Sequence, residues 1–297
     1  MLRQSPMVRA SAVLLVVGLM AGCSAGGSTP SAGSTPSATA SPVAGQRHIY
    51  WANRITEDNT LGETTMGRAN LDGTGVNQSF ITGANSMCGL AIVGNYIYWG
   101  NSEDTTIGRA NLDGTGVNQR FILGSGGACG LATDGSYLYW GRIGDGAIER
   151  FKLDRTEDKV DFISGGDTPV FVAIAAGHIY WTNNSRNTIG RANLDGTGVN
   201  QSFISVSGDP VGIAVAGSYI YWASHDSIGR ANLDGTEVNE SFISDVANPN
   251  GIAIWEGYIY WSNRNTDTIA RAALDGTGVN QSFIKGANMP IGVAIGD

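Results

Sequence analysis

The stretch GRANLDGTGVNQSFI occurs at residues 67–81 and again, letter for letter, at 190–204. It returns at 108–122 with only Arg120 changed, and in looser form near Gly229, Ala270 and Glu149. Self-similarity with a period of about 41 residues restricts the chain to a repeat architecture, in which each unit buries its apolar face against its neighbours. No residue of the repeat can be read as a site before the repeat itself is placed.

Glycine supplies 43 of 297 residues and charged side chains only 15%. That balance suits short strands joined by tight turns, because glycine weakens a helix interior and is favoured where φ is positive. No stretch sustains an amphipathic helical period, so the folded part is all-β. The length could hold two domains, but an array filling it makes one closed domain. The net charge is −8 with a pI near 4.8; without Arg3 and Arg9, 16 basic residues face 26 acidic ones. Such a surface repels phosphate backbones, and no basic stripe with interleaved aromatics is present, which argues against nucleic acid as a partner.

The first residues, MLRQSPMVRASAVLLVVGLMAGC, place Arg3 and Arg9 before an apolar run at 12–20, followed by Ala21, Gly22 and Cys23. A basic flank, a short apolar core and small residues make a secretory signal, and the core is too short to span a bilayer. Leu19, Met20, Ala21 and Gly22 before Cys23 resemble the lipobox of bacterial lipoproteins, with Met20 in place of the commoner leucine. The resemblance implies that residues 1–22 are removed and that Cys23 carries lipid, tying the chain to a membrane; plain secretion is the alternative. Residues 24–45 are almost entirely Ser, Thr, Gly, Ala and Pro. With nothing large to bury, they form a flexible tether from the lipidated Cys23, so the folded domain is expected at 46–297.

Six aromatic dipeptides align the rest: Tyr50-Trp51, Tyr98-Trp99, Tyr139-Trp140, Tyr180-Trp181, Tyr221-Trp222 and Tyr260-Trp261. Each unit reads as four strands, illustrated by CGLAIV at 88–93, YIYW at 96–99, TIGRANL at 106–112 and VNQRFI at 117–122. The third and fourth are joined by Asp-Gly, a strong hairpin signal. Four-stranded units of this length are the blades of a β-propeller. Ala91, Ala132, Ala173, Ala214, Ala253 and Ala294 share one position of the first strand, as expected where blades converge and space is least. The chain opens on a second strand at 47–51 and ends on a first strand at 291–297. Pairing them in one blade closes a ring of six and removes the free sheet edges.

The Tyr-Trp pairs together with the NLDGT turns resemble the YWTD, or low-density lipoprotein receptor class B, repeats over residues 47–297. That resemblance implies a six-bladed propeller that recognises proteins without catalysis. The signature itself departs: only Tyr180-Trp181-Thr182 keeps the threonine, and Asn53, Asn101, Arg142, Asn183, Ser224 and Asn263 stand where the family has aspartate. Asparagine retains local hydrogen bonding without charge.

What is repeated is what the fold needs, so recognition is sought in the exceptions. The turns after first and third strands are short and uniform, whereas the loops on the opposite face vary, and that face with the channel mouth is the candidate surface. Its most unusual member is residues 53–66, about seven residues longer than its counterparts, with Arg54, Glu57, Asp58 and Glu63; such loops are functional or simply disordered. Around it are expected Glu103, Asp104, Arg142, Asp145, Asp167, Arg186, Asp209, His225, Asp226, Arg264 and Asp267. Solvated loop charge is the plain alternative for most of them.

His48 and His178 take the place of Tyr96, Tyr137, Tyr219 and Tyr258, a structural position. His225 beside Asp226 stands outside the pattern but has no identifiable nucleophile partner. The acidic loops show no spaced carboxylate motif for calcium, so no metal and no cofactor is expected. Trp255, at the end of an inner strand, is read as a channel plug rather than a stacking surface. Asn250 stands where other copies have Cys88, Cys129, Val170, Val211 and Ile291, and either faces the channel mouth or caps a turn. Cys88 and Cys129 are equivalent residues of adjacent blades. Outside the cytoplasm a disulfide is permitted, but neighbours in a six-fold ring lie one ring radius apart, and a bridge needs Cα atoms within about 7 Å. Free buried thiols are therefore expected. The diverged, charged unit at 141–163 reads as a solvated outer edge blocked against strand addition, or as a partner contact.

Taken together, we expect a monomeric, lipid-anchored, extracytoplasmic propeller that binds a protein, peptide or envelope glycan through its variable-loop face. The alternative is a propeller enzyme of lyase or lactone-hydrolase type with its site at the channel mouth.

Overall fold

In the computed structural model, residues 47–54, 63–165 and 167–296 are described. The signal segment, Cys23, the tether, and Glu57 and Asp58 of the long loop lie outside the described residues.

Six four-stranded antiparallel sheets follow one another around a ring. Blades 2 to 6 each use consecutive strands and span 87–123, 128–163, 169–205, 213–243 and 249–285. Blade 1 is composite, ordered Val293–Gly296, His48–Asn53, Glu63–Asn70 and Asn77–Asn85 from the innermost strand outwards. Trp51 pairs with Val293 and His48 with Gly296, so the two ends of the described chain meet in one sheet as expected.

The Tyr-Trp pair builds each blade. The six tryptophans of these pairs are fully buried, and each is paired across the sheet with the third-strand residue that opens the GRA triplet or its equivalent. In four blades that residue is glycine, because the indole lies directly over it: a Cβ on Gly67, Gly108, Gly190 or Gly229 would come within 2.1–2.2 Å of the ring. In three of these blades the indole N–H donates to a fourth-strand glutamine, as in Trp99 Nε1 to Gln119 Oε1 at 2.9 Å; in the fourth, Glu240 replaces the glutamine and Trp222 Nε1 has no partner among the described residues.

Beside it sits the asparagine two residues after the tryptophan. Asn101 is fully buried and its Nδ2 donates to Thr106 Oγ1 at 3.1 Å and to the Gln119 carbonyl at 2.9 Å. Asn53, Asn183 and Asn263 make the same pair of bonds. A carboxylate there would face a carbonyl oxygen with no proton to share, which explains the amide. The outer hairpin is held in turn by a stack. The repeat arginines Arg68, Arg109, Arg150, Arg191, Arg230 and Arg271 lie 4.0–4.5 Å over the phenylalanine ring of the same blade's last strand, a cation–π contact.

Two expectations are corrected. The insertion in blade 1 is strand as well as loop: Glu63 pairs with Asn85 and Thr64 with Ala84, so the third strand starts at Glu63 and only 54–62 connect. The extension is fixed because Ala84 is buried and Thr64 Oγ1 accepts the Met87 N–H at 3.1 Å. Cys88 and Cys129 form a disulfide, with Cα atoms 5.0 Å apart. The ring is far narrower at this level than an open channel, because a glycine follows each cysteine. A Cβ on Gly89 would lie 2.5 Å from the Gly130 Cα, and one on Gly292 3.1 Å from the Gly89 Cα, so inner strands touch backbone to backbone. Gly251 N–H even donates to Ile291 O at 2.8 Å across blades. Trp255 stands at the short-turn end, packed against the core cluster that includes Tyr260 and Val293, with the Arg47 guanidinium 4.6 Å over its ring.

Candidate recognition face

The variable-loop face is built where second strands end, because the chain leaves each sheet three residues after the buried tryptophan. That position holds Arg54, Ser102, Ile143, Asn184, His225 and Arg264 in blades 1 to 6. Blades 5, 6 and 1 are contiguous, since Gly212 abuts the Asn250 carbonyl and Gly251 bonds Ile291. His225, Arg264 and Arg54 therefore form an arc on three neighbouring blades.

Each is set by the backbone. Arg54 N–H donates to Asn288 O at 2.8 Å and Arg264 N–H to Asn248 O at 3.2 Å, tying both to the preceding blade-to-blade loops. Both side chains are partly buried. Neither has an ion-pair partner among the described residues. Burial, and then the nearby charge of Arg54, hold the Arg264 pKa below its usual value. His225 and Asp226 are exposed; the Asp226 carbonyl accepts the Val246 N–H. Asn250 Oδ1 is enclosed with no hydrogen-bond partner among the described residues.

The remaining expected residues are committed elsewhere on the same face. Asp267 Oδ1 accepts the Met289 N–H at 2.8 Å and Asp104 Oδ1 accepts from Asn85 Nδ2 at 2.8 Å. Arg186 pairs with Asp167 between neighbouring loops. The Asn187 amide, in the orientation that satisfies both its atoms, donates to Asp209 at 3.1 Å. Glu63 enters through its backbone pairing alone.

Arg142 and Asp145 belong to a network that sequence reading did not find. Glu149, 1% exposed, takes the place of the glycine under Trp140 and accepts the indole N–H at 2.9 Å. Arg142 Nη1 and Lys159 Nζ each approach its other oxygen at 3.0 Å. Arg142 also pairs with Asp145, and with Asp161 at 3.1 Å. The buried carboxylate is tolerable because two cations and an indole surround it. The signal was present as a covariation: blade 3 loses its glycine and its asparagine together, at Glu149 and Arg142. Among the described residues no group of three or more His, Cys, Asp or Glu side chains is placed to hold a metal ion.

No protein-family model matches the chain, and no curated protein sequence does. Its fold is similar to solved structures. A chain of the nidogen–laminin complex aligns at 18% identity over 84% of this chain and 98% of that one, with a TM-score of 0.66. A catalytically inactive virginiamycin B lyase from Staphylococcus aureus, solved with quinupristin, aligns at 16% identity over 80% and 85%, with a TM-score of 0.56. A gluconolactonase from Xanthomonas campestris aligns at 15% identity over 68% and 77%, with a TM-score of 0.57. At such identities the likeness speaks to architecture and not to chemistry. With six closed four-stranded sheets, the chain is an all-β six-bladed β-propeller.

Proposed function

We propose that this chain is an extracytoplasmic lipoprotein with a YWTD-type propeller that binds a protein, peptide or envelope glycan through its variable-loop face, without catalysis. Residues 1–22 are the signal, Cys23 carries the lipid, and 23–45 hold the propeller off the membrane. The observation that carries the binding assignment is the arc of Arg54, Arg264 and His225. Two partly buried guanidiniums beside each other, with no carboxylate partner among the described residues, favour a ligand that brings negative charge to the mouth. Arginine recognises carboxylate and phosphate through paired N–H donors. Nothing specific at His225 or Asp226 supports the lyase or lactone-hydrolase alternative.

The test is co-sedimentation of the soluble protein with envelopes from cells lacking it, at about 50 and about 300 mM salt, conditions chosen to span strong and weak charge screening. Wild type is expected to pellet and the double variant Arg54→Ala, Arg264→Ala to stay in solution; equal pelleting would remove this face from the account. Loss of incorporated fatty-acid label in Cys23→Ala tests the anchor.

A further inference from the structure

A second set of departures from the repeat lies far from that face. The hairpin of blade 2 matches its identical copies at every position but one, where Arg120 replaces Ser79, Ser202, Ser241 and Ser282. Three residues on, Leu123 replaces Thr82, Ser205, Ser244 and Lys285, and at 56% it is an unusually exposed large hydrophobic side chain. In blade 3, Arg155 occupies the turn position held by Gly73, Gly114, Gly196, Gly235 and Gly276, at φ 62°. A branched or long side chain at positive φ is strained, whereas glycine is not.

These three exceptions line one groove. It runs along the outer rim between the last strand of blade 2 and the outer hairpin connection of blade 3, has a volume of about 490 Å³, and is floored by Phe121 and Phe151. The two rings meet edge to face at 6.2 Å, and Arg155 reaches over Phe121 at 5.1 Å. Of its charged walls, Lys159 is held by the buried Glu149 at 3.0 Å. Arg120 and Arg155 have no ion-pair partner among the described residues, and Asp158 is the carboxylate in the lining. A cationic, apolar groove on a chain of net charge −8 is a local reversal of the surface. The blade 2 strand along it, Asn118–Leu123, is outermost in its sheet.

We propose that this rim groove is a second binding surface, for an acidic peptide segment carrying apolar side chains. The carboxylates answer Arg120 and Arg155, and an apolar side chain covers Leu123 and the Phe121–Phe151 floor. A strained arginine in place of glycine is retained because its guanidinium is needed at the groove. An anionic glycan or free phosphate would use the charges but leave Leu123 exposed.

The test is fluorescence anisotropy on the full chain with a labelled peptide of alternating Glu and Leu or Phe residues. Two controls are used, polyglutamate and the same peptide with Lys for Glu. The variants Arg120→Ser and Leu123→Ser restore residues found in other blades, so folding is not at issue, and melting temperature confirms it. The acidic-apolar peptide is expected to bind wild type, and each variant to bind it at least tenfold more weakly with an unchanged melting temperature. Arg155→Gly is expected to weaken binding while melting higher, and Arg54→Ala with Arg264→Ala to bind the peptide as wild type does. Absent binding, equal binding by the variants, or equal binding of either control would overturn the proposal.

Discussion

Trp99 lies over Gly108 so closely that a Cβ on Gly108 would come to 2.2 Å from the indole. A methyl group there must push the ring from its bond to Gln119. Blade 6 shows the escape: Ala270 occupies this place, and the Trp261 indole N–H turns to Asn263 Oδ1 at 2.9 Å. Gly108→Ala is therefore expected to destabilise by about 1–3 kcal/mol, the range for overpacking a core that partly yields. Chemical denaturation of the variant, with Gly190→Ala as an independent copy, checks it.

The Cys88–Cys129 bridge ties inner strands of adjacent blades, 41 residues apart. Its loss in Cys88→Ala with Cys129→Ala, or on reduction, is expected to remove about 2–4 kcal/mol, largely by releasing the unfolded chain. Thermal melts with and without reductant measure this; the double variant should be insensitive to reductant.

Glu149 is expected to respond unequally to two changes. Glu149→Ala leaves the Trp140 indole N–H without its carboxylate acceptor and takes the buried partner from Lys159 and from Arg142, which keeps Asp145 and Asp161, and should cost about 1–3 kcal/mol. Converting the network to the repeat consensus, Glu149→Gly with Arg142→Asn, removes both charges and should be near neutral. Denaturation of the two proteins side by side separates pairing from mere packing.

Acid should destabilise the fold in two steps of the same sign. His48 has its pKa lowered from the usual 6.5 by burial and by Arg68. The unfolded chain then binds that proton first, so stability falls as pH drops from about 6.5 toward the lowered value. The turn carboxylates Asp72, Asp113, Asp195, Asp234 and Asp275 are held below their usual 3.8 by the hydroxyl and N–H of the threonine two residues on. Their contribution is present above that value and lost as pH falls through the lowered ones. His48→Tyr should flatten the upper step and leave the lower, read as melting temperature against pH.

Much of the fold was legible because its devices are local. The Tyr-Trp pairs, the Asp-Gly turns and the alanine positions mark strands directly, and the two chain ends complete one blade. The disulfide was not legible, since the ring radius depends on how closely the strands at Gly89, Gly130, Gly251 and Gly292 approach, which is a tertiary quantity. The start of the strand at Glu63 was hidden because Thr64 aligns with Thr105, Asn187 and Asp267, which precede the third strands of their blades. On the recognition face, Arg54, His225 and Arg264 could be named one by one. Their equivalence appears only when blades are counted from each tryptophan, and the lack of a carboxylate beside two of them among the described residues is a matter of geometry. Glu149 was misleading in isolation, as a charge in a diverged unit, because burial and pairing with Arg142 cannot be read from composition.

Envelope recognition is assigned to the variable-loop face, apart from the peptide groove on the rim. A photoreactive amino acid placed singly at His225 or Ser102 on the variable-loop face, and at Asp72 or Asp234 on the short-turn face, tests it in intact cells. Crosslinks to one partner species from His225 and Ser102, with none from Asp72 and Asp234, are the predicted result. Crosslinks from the short-turn positions alone, or equal yields from both faces, would contradict it.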